Sequence, residues 1–338
     1  MPTSTAYNNT LSLADILNLK NPDGSEARVA EVLEEYNPML QDIPFEEGNT
    51  QTGTVITRRS SIGEAYWRRL NSGVGKGISR TTQVTETCGI METYTEVDKK
   101  LVKMASNPNS FMVQQARGQM EAMSQEMART FLYGNSYLEP EKFLGFMPRM
   151  STLNNKYRNG HPIVLDAGGT SGGSLASILI VGWGEGKVTG IYPKGSNAGL
   201  EYEDLGQHTA QDDNGKQFEI LRSHWTWEAG LAVHDYRYVI RIANIDVKEL
   251  DYNDEASLKK LYNLMIDAYS MIPVGSSPNL KAYAPRSVWA YLSKLANANS
   301  NRDVTTPVND SSRLVSNILG VPLKMMDAML DTEAQVTA

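Results

Sequence analysis

Apolar and polar positions follow different periods along the chain, and each period predicts a different element. From Pro108 to Tyr133, "PNSFMVQQARGQMEAMSQEMARTFLY", Met112, Ala116, Met120, Met123, Met127 and Phe131 recur at spacings of three and four. That period predicts one helix with a single apolar stripe, and a methionine stripe reads as core filling. Asn107 is placed to cap the helix, Pro108 suits its first turn, and Gly134-Asn135 ends it. At 1.5 Å per residue it would span about 39 Å, more a strut than an ordinary globular helix.

Between Thr52 and Val102 the period shortens. "TGTVITRRSSIGEAYWRRL" and "ISRTTQVTETCGIMETYTEV" are rich in Thr, Val, Ile and Tyr, and "NSGVGKG" lies between them. Two β-like runs around a glycine-rich linker predict a long hairpin. It carries few large apolar side chains, so it cannot bury much of itself. A two-stranded ribbon is marginal alone in water and needs support from elsewhere. Residues 1–50 read as a polar arm with one short helical piece, Ala27–Tyr36, and residues 135–175 as irregular. Strand patterns follow in "KVTGIYP", "QFEILRSHWTWEAGLAVHD" and "RYVIRIANIDV". In the last, Tyr238, Ile240 and Ile242 face one way and Val239, Arg241 and Ala243 the other. Helices are predicted at Glu255–Ser270, with Leu258, Leu261, Tyr262, Met265 and Tyr269 on one side, and at Pro285–Ala298, with Val288, Leu292 and Leu295. The apolar segment Leu314–Leu330 predicts a strand returning to the sheet.

Composition narrows the function classes. The chain has 338 residues, 41% of them hydrophobic, enough for a substantial core, and its net charge of −7 argues against a specific duplex-binding domain. A single cysteine, Cys88, excludes an intrachain disulfide and reads as a packed apolar residue. The first residues lack the basic and apolar regions of a signal peptide. The longest apolar run, Leu175–Trp183, is far short of the ~20 residues that span a membrane.

The chemistry-like signals fail on spacing. "RRLNSGVGKGISRTT" (Arg68–Thr82) looks like a phosphate cradle. That motif, however, needs a glycine five positions before the Gly-Lys pair, where Leu70 stands, and a hydroxyl residue after the lysine, where Gly77 stands. Polar β-like runs flank it, not a strand and a helix N-terminus. "GGTSGGS" lacks the acidic residue of a serine-protease nucleophile loop, and His161, His208, His224 and His234 lie in no triad motif. Asp212-Asp213-Asn214 begins like a calcium loop, but the twelfth position is Ser223, not Glu. Glu139/Glu141 and Glu201/Glu203 are paired carboxylates without a cleft. "HWTW" (His224–Trp227) reads as a half-buried strand, with a stacking platform for bases or sugars as the alternative. These readings place no catalytic residue, no cofactor and no metal.

The order of parts is the informative feature: arm, under-packed hairpin, long helix, mixed β/α remainder. It resembles the HK97-like major capsid proteins of tailed bacteriophages. "SLADILNLKNPDGSEARVAEVLEEYNPMLQDIPFEEGN", "TGTVITRRSSIGEAYWRRLNSGV", "VGWGEGKVTGIYPKG", "SHWTWEAGLAVHDYRYVIRIANIDV" and "AYAPRSVWAYL" are similar to the major capsid proteins of short-tailed phages of the epsilon15 and Bordetella-phage type, along nearly the whole chain. The resemblance implies an α+β, HK97-like capsid fold, with connectivity rearranged relative to the reference fold. Its implied parts are an N-arm at 1–50, an extended loop at 51–104 and a spine helix at 105–135. Peripheral-domain sheet would follow at 136–250, an axial domain at 251–320, and a return strand and C-terminal tail at 321–338. It implies a structural subunit, not an enzyme, that self-assembles into hexamers and pentamers of an icosahedral head in the bacterial host cytoplasm. A portal and a cement or decoration protein would be partners, and packaged double-stranded DNA would be met only by non-specific contact, without a membrane. Some relatives crosslink a loop lysine to a neighbour's asparagine. Lys76 sits at the loop tip without a matching catalytic acid or acceptor, so non-covalent holding is expected. The candidate contact residues are Arg68, Arg69, Gly73, Gly75, Lys76, Gly77 and Arg80, with the glycines giving an adaptable turn. The alternative is a soluble hydrolase built on residues 160–235.

Overall fold

The computed structural model describes residues 35–105, 107–156, 161–170, 174–211, 215–250, 255–273, 279–298, 304–305, 315–318 and 320–337. The expected N-arm up to residue 34, the centre of "GGTSGGS" (171–173) and the 212–214 turn lie outside them. The chain divides into two compact units. One holds Glu35, Ile90–Glu126 and Gly199–Glu228. The other holds Tyr36–Gly89, Met127–Ala198 and Ala229–Ala338.

The larger unit is organised by a seven-stranded sheet in the order β11-β12-β13-β10-β5-β9-β4. These strands are β4 (Ile163–Asp166), β5 (Leu175–Trp183), β9 (Val239–Asp246), β10 (Asn279–Ala284), β11 (Val304–Thr305), β12 (Val315–Ile318) and β13 (Val321–Met325). The apolar run Leu175–Trp183 is its central strand, and all nine residues are buried. That explains why it shows no alternation: a strand covered on both faces has no polar side. β9 is likewise buried on both faces from Val239 to Ile245, so the two-faced pattern expected for it hides a buried Arg241. The returning strand predicted for Leu314–Leu330 is the β12–β13 pair, and β13 runs parallel to β10. β10 pairs antiparallel with β5, so the sheet draws strands from both sides of residue 250. Helix α3 (Glu255–Met271) packs on β9 and α4 (Arg286–Ala298) on β13 and β11. Their inward residues are those the helical period marks, Leu261, Met265, Val288 and Leu292 among them.

A second group of strands in this unit is built on β1 (Phe45–Glu47), β2 (Gly53–Ser61) and β6 (Val188–Tyr192). They combine with residues 80–89 of β3 (Arg80–Asp98) and residues 229–233 of β8 (Gln217–Val233). Gly230 lets two strands approach closely: a Cβ there would lie 2.7 Å from the Thr87 carbonyl oxygen. Ile56, Ile191 and Ala232 form a small core with Cys88 against it, so the cysteine packs as expected.

The smaller unit contains residues 90–98 of β3, β7 (Leu200–Gln211) and residues 217–228 of β8, with β7 and β8 paired antiparallel. Val97, Val102 and Phe111 form its core, joined by Leu101, Ala105, Met112 and Leu221. Helix α1 (Lys99–Met104) starts on the Asp98 carboxylate, which accepts from the Lys100 N–H at 2.7 Å. β7 has no clear sequence signal because its residues are mostly exposed and polar.

Helix α2 runs from Pro108 to Tyr133, the limits its sequence predicts. Within the smaller unit Met123 is buried and Met112, Ala116 and Met120 are half-buried; within the larger, Met127 and Phe131 are fully buried. Gly134 stops the helix where a Cβ would lie 2.6 Å from both the Thr130 and Phe143 carbonyl oxygens. The 135–175 stretch is less irregular than expected. It contains a helical turn at Phe146–Arg149 and β4.

Arg241 reconciles its charge with burial through a closed network. It donates to Ser177 Oγ (3.0 Å), the Met150 carbonyl (2.8 Å) and Glu333 Oε2 (3.0 Å). Tyr133 donates to Glu333 Oε1 at 2.7 Å, and burial together with that carboxylate holds its phenol well above the ordinary range. Removing one partner of such a pair strands the other charge in the interior. Glu333→Ala should therefore destabilise the subunit by about 3–5 kcal/mol in equilibrium urea unfolding; a loss below about 1 kcal/mol would show that water replaces the carboxylate.

Candidate assembly surface

The hairpin of β2 and β3 is anchored before it is exposed. Gly53–Ser61 pairs with Arg80–Thr87. Thr54 and Ile56 point inward, and Arg58 follows on the same face at the same two-residue period. On β3, Glu86 is 3% exposed. It accepts from Arg58 Nη2 at 3.0 Å and from Arg149 at 2.8 and 2.7 Å, one oxygen to each Arg149 nitrogen. Arg149 also donates to the Leu144 and Gly145 carbonyls, which end the segment after α2. Arg58 donates to the Val233 carbonyl and lies 4.9 Å above the Tyr236 ring. One carboxylate thus fixes β2, β3 and the 144–149 turn together. The base is well buried because the rest of the fold covers it, which is the outside support a polar ribbon needs.

Beyond Ser61 the strand stops, although the sequence predicts it to Leu70. Residues 62–79 hold no strand and, Gly63 apart, are exposed. Four glycines in this stretch disfavour a ladder, which needs side chains to pack. Arg68, Arg69, Gly73, Gly75, Lys76 and Gly77 all lie in this loop, and Arg80 opens β3 at its foot. They are on one loop. The same loop exposes Ile62, Tyr66, Trp67, Leu70, Val74 and Ile78, with Trp67 at 104% and Leu70 at 96% of full exposure. Charge and glycine content mark the loop in the sequence, but these apolar residues are what set its surface. Their signal was there: large apolar side chains in a segment with no partner strand. Glu86 and Arg149 were missed as well. The clue was a charge on the inward parity of a strand, in register with Val84 and Cys88.

The other chemistry-like residues have structural partners. His224 stacks on Tyr94, with centroids 4.4 Å apart and planes 14° apart, and lies 3.4 Å from Glu92. Trp225 is buried beside Tyr202, not displayed as a platform. At "DAGGT", Asp166 accepts from the Gly168 N–H at 2.9 Å, and a Cβ at Gly169 would lie 2.5 Å from the Asn244 carbonyl oxygen. That is a tight turn against β9. His161 borders a cavity with Arg149, Thr152, Leu153, Asn154 and Pro162, where no serine or cysteine nucleophile stands. Among the described residues, no three His, Cys, Asp or Glu side chains converge to hold a metal, and no helix is long and apolar enough to cross a membrane.

Residues 21–337 match the family model for major capsid protein GP7. The chain belongs to the major capsid protein GP7 family. It is 30% identical to a chain in the cryo-electron microscopy structure of bacteriophage epsilon15, over 99% of this chain and 100% of that one, with a TM-score of 0.76. The bacteriophage JBD30 capsid matches at 10% identity over 94% and 99% of the chains, with a TM-score of 0.51, which shows the shared fold. No significant match is found among curated protein sequences. The fold is HK97-like, and the major capsid protein GP7 family is structural, not enzymatic. A hydrolase at residues 160–235 is not supported.

A pH dependence follows from the anchor. Burial, and secondly the Arg58 guanidinium, lower the His234 pKa from its ordinary 6.5, with Glu86 opposing. The unfolded chain therefore binds a proton that the folded chain resists. Stability is fully present above pH 6.5 and falls as pH drops through that value. His234→Asn should flatten urea midpoints between pH 7 and pH 5; an unchanged slope would exclude His234 as the source.

Proposed function

We propose that this major capsid protein builds hexamers and pentamers of an icosahedral head around double-stranded DNA, in the cytoplasm of a bacterial host. The supporting observation is the exposed apolar and basic loop on a buried, charge-fixed base. A lone subunit gains nothing from exposing Trp67 and Leu70, whereas a shell of many copies buries them. Assembly then stabilises the subunit by mass action. The acidic net charge suits a shell whose inner wall must release the genome, so DNA contact would be non-specific. A portal and a cement protein would complete the particle. The candidate loop residues Arg68, Arg69, Gly73, Gly75, Lys76, Gly77 and Arg80 are assigned to inter-subunit contact. The assignment of residues 51–104 to an extended loop, 136–250 to a peripheral domain and 251–320 to an axial domain is part of the same proposal. The β5–β10 pairing means an axial domain beginning at residue 251 shares its sheet with earlier strands.

Purified protein should sediment as capsomers or closed particles and show shells by electron microscopy. A persistent monomer at all concentrations would contradict the assignment.

A further inference from the structure

Residues 331–337 form no strand, yet they bind across the central sheet of the larger unit. Glu333 and Val336 are buried, at 8% and 5% exposure, while Thr332, Ala334, Gln335 and Thr337 are exposed. Each buried residue has its own receptor. The Glu333 N–H donates to the Leu175 carbonyl at 2.8 Å, and its carboxylate accepts from Tyr133, Ser177 and Arg241. The Val336 N–H donates to Asn244 Oδ1 and its carbonyl accepts from Asn244 Nδ2, both at 2.9 Å. Next to it the Thr337 carbonyl accepts from the Leu153 N–H at 2.9 Å.

The receptor is built on an irregularity of the sheet. Between the pairs Ala176↔Ile245 and Ile178↔Ile242, β5 advances two residues and β9 three. An extra residue of this kind is a bulge, which re-aims side chains. Ser177 and Asn244 both lie in that step, and both bind residues 331–337. Asn244 takes a φ of 58° although it is only 3% exposed. Asparagine tolerates this left-handed conformation, but a non-glycine residue stays in it only where its surroundings over-determine it. Here the Asn244 amide spans from Asp166 Oδ1, at 2.8 Å, to the Val336 carbonyl.

We infer that residues 331–337 are a late-docking strap, a lock that closes after β5 and β9 have paired and that sets how slowly the folded subunit opens. The order follows from where the receptor comes from. Ser177 is on β5, and Arg241 and Asn244 are on β9, so the receptor does not exist until those strands pair in their bulged register. Glu333 and Val336 find their partners 92 to 200 positions earlier in the chain. Contacts so distant carry a loop-closure cost that only the formed sheet reduces. Interactions absent from the folding transition state act mainly on the unfolding rate. The lock belongs to a single subunit and stands whether or not shells form.

The test uses full-length protein at concentrations too low for assembly. Hydrogen exchange read by mass spectrometry should show residues 331–337 exchanging about 100-fold faster than residues 175–183, through openings that leave the sheet closed. Exchange of both segments at one rate would make the strap part of the core and overturn the inference. Two variants then separate a lock from packing alone. Asn244→Gly keeps the left-handed backbone without strain and removes both bonds to Val336. Glu333→Gln keeps the shape of the side chain and removes its charge. Each should speed unfolding in urea by at least about tenfold and leave refolding within about twofold of wild type. Refolding slowed as much as unfolding is hastened would place docking before the rate-limiting step and sink the proposed order. Unfolding of Asn244→Gly no faster than wild type would show that its bonds to Val336 lock nothing.

Discussion

The carboxylate of Glu86, held between Arg58 and Arg149, is the constraint on which the exposed loop depends. A buried charge survives only if its partners are close and geometrically fixed. Here the partners come from β2 and from the turn after α2, so the bonds that satisfy the charge also set the hairpin's exit. Arg149 also donates to the Leu144 and Gly145 carbonyls, and Arg58 to the Val233 carbonyl. The base cannot shift without stranding a charge. A loop that starts from a fixed base presents Trp67 and Leu70 in a reproducible place, and a shell built from many equivalent contacts requires that.

Rigidity at the base and unsatisfied surface at the tip are complementary. Apolar side chains exposed on a single subunit are a liability in a monomer and a driving force in an assembly. Six of them fall within eighteen residues, 62–79, mixed with Arg68, Arg69 and Lys76, which discourage indiscriminate association. The interior of the larger unit contains polar groups that satisfy one another. Arg241, Glu333, Ser177 and Tyr133 satisfy one another, and Trp183, Tyr283, Asp42 and Lys324 form a second chain of bonds.

Much of the fold was legible because its elements obey a single period. α2, α3 and α4 have a helical stripe, and β6, β8 and β9 are rich in β-branched and aromatic residues. The order of arm, hairpin and long helix carried the resemblance to HK97-like capsid proteins. What escaped has physical reasons. β7 is an exposed polar strand paired with β8 alone, so burial imposes no pattern on it. The strand expected through Leu70 ends at Ser61, because Gly63 and Gly77 bring the backbones together where a ladder would need side chains. Glu86 looked like one more polar residue of a threonine-rich strand, and its burial depends on Arg149, sixty-three positions away. The glycines and charges of the loop suggest an adaptable turn. Trp67 and Leu70 give it a face, and Gly75 and Gly77 give it a shape.

The decisive question is whether that face is covered by another subunit in the particle. Oxidative footprinting of Trp67, compared between free subunits and assembled particles by mass spectrometry, measures this directly. The account predicts rapid modification in the free subunit and strong protection in the particle, with Tyr137, another exposed aromatic outside the loop, as the internal reference. Equal modification of Trp67 in both states would mean that the loop projects into solvent, and the central claim would be wrong.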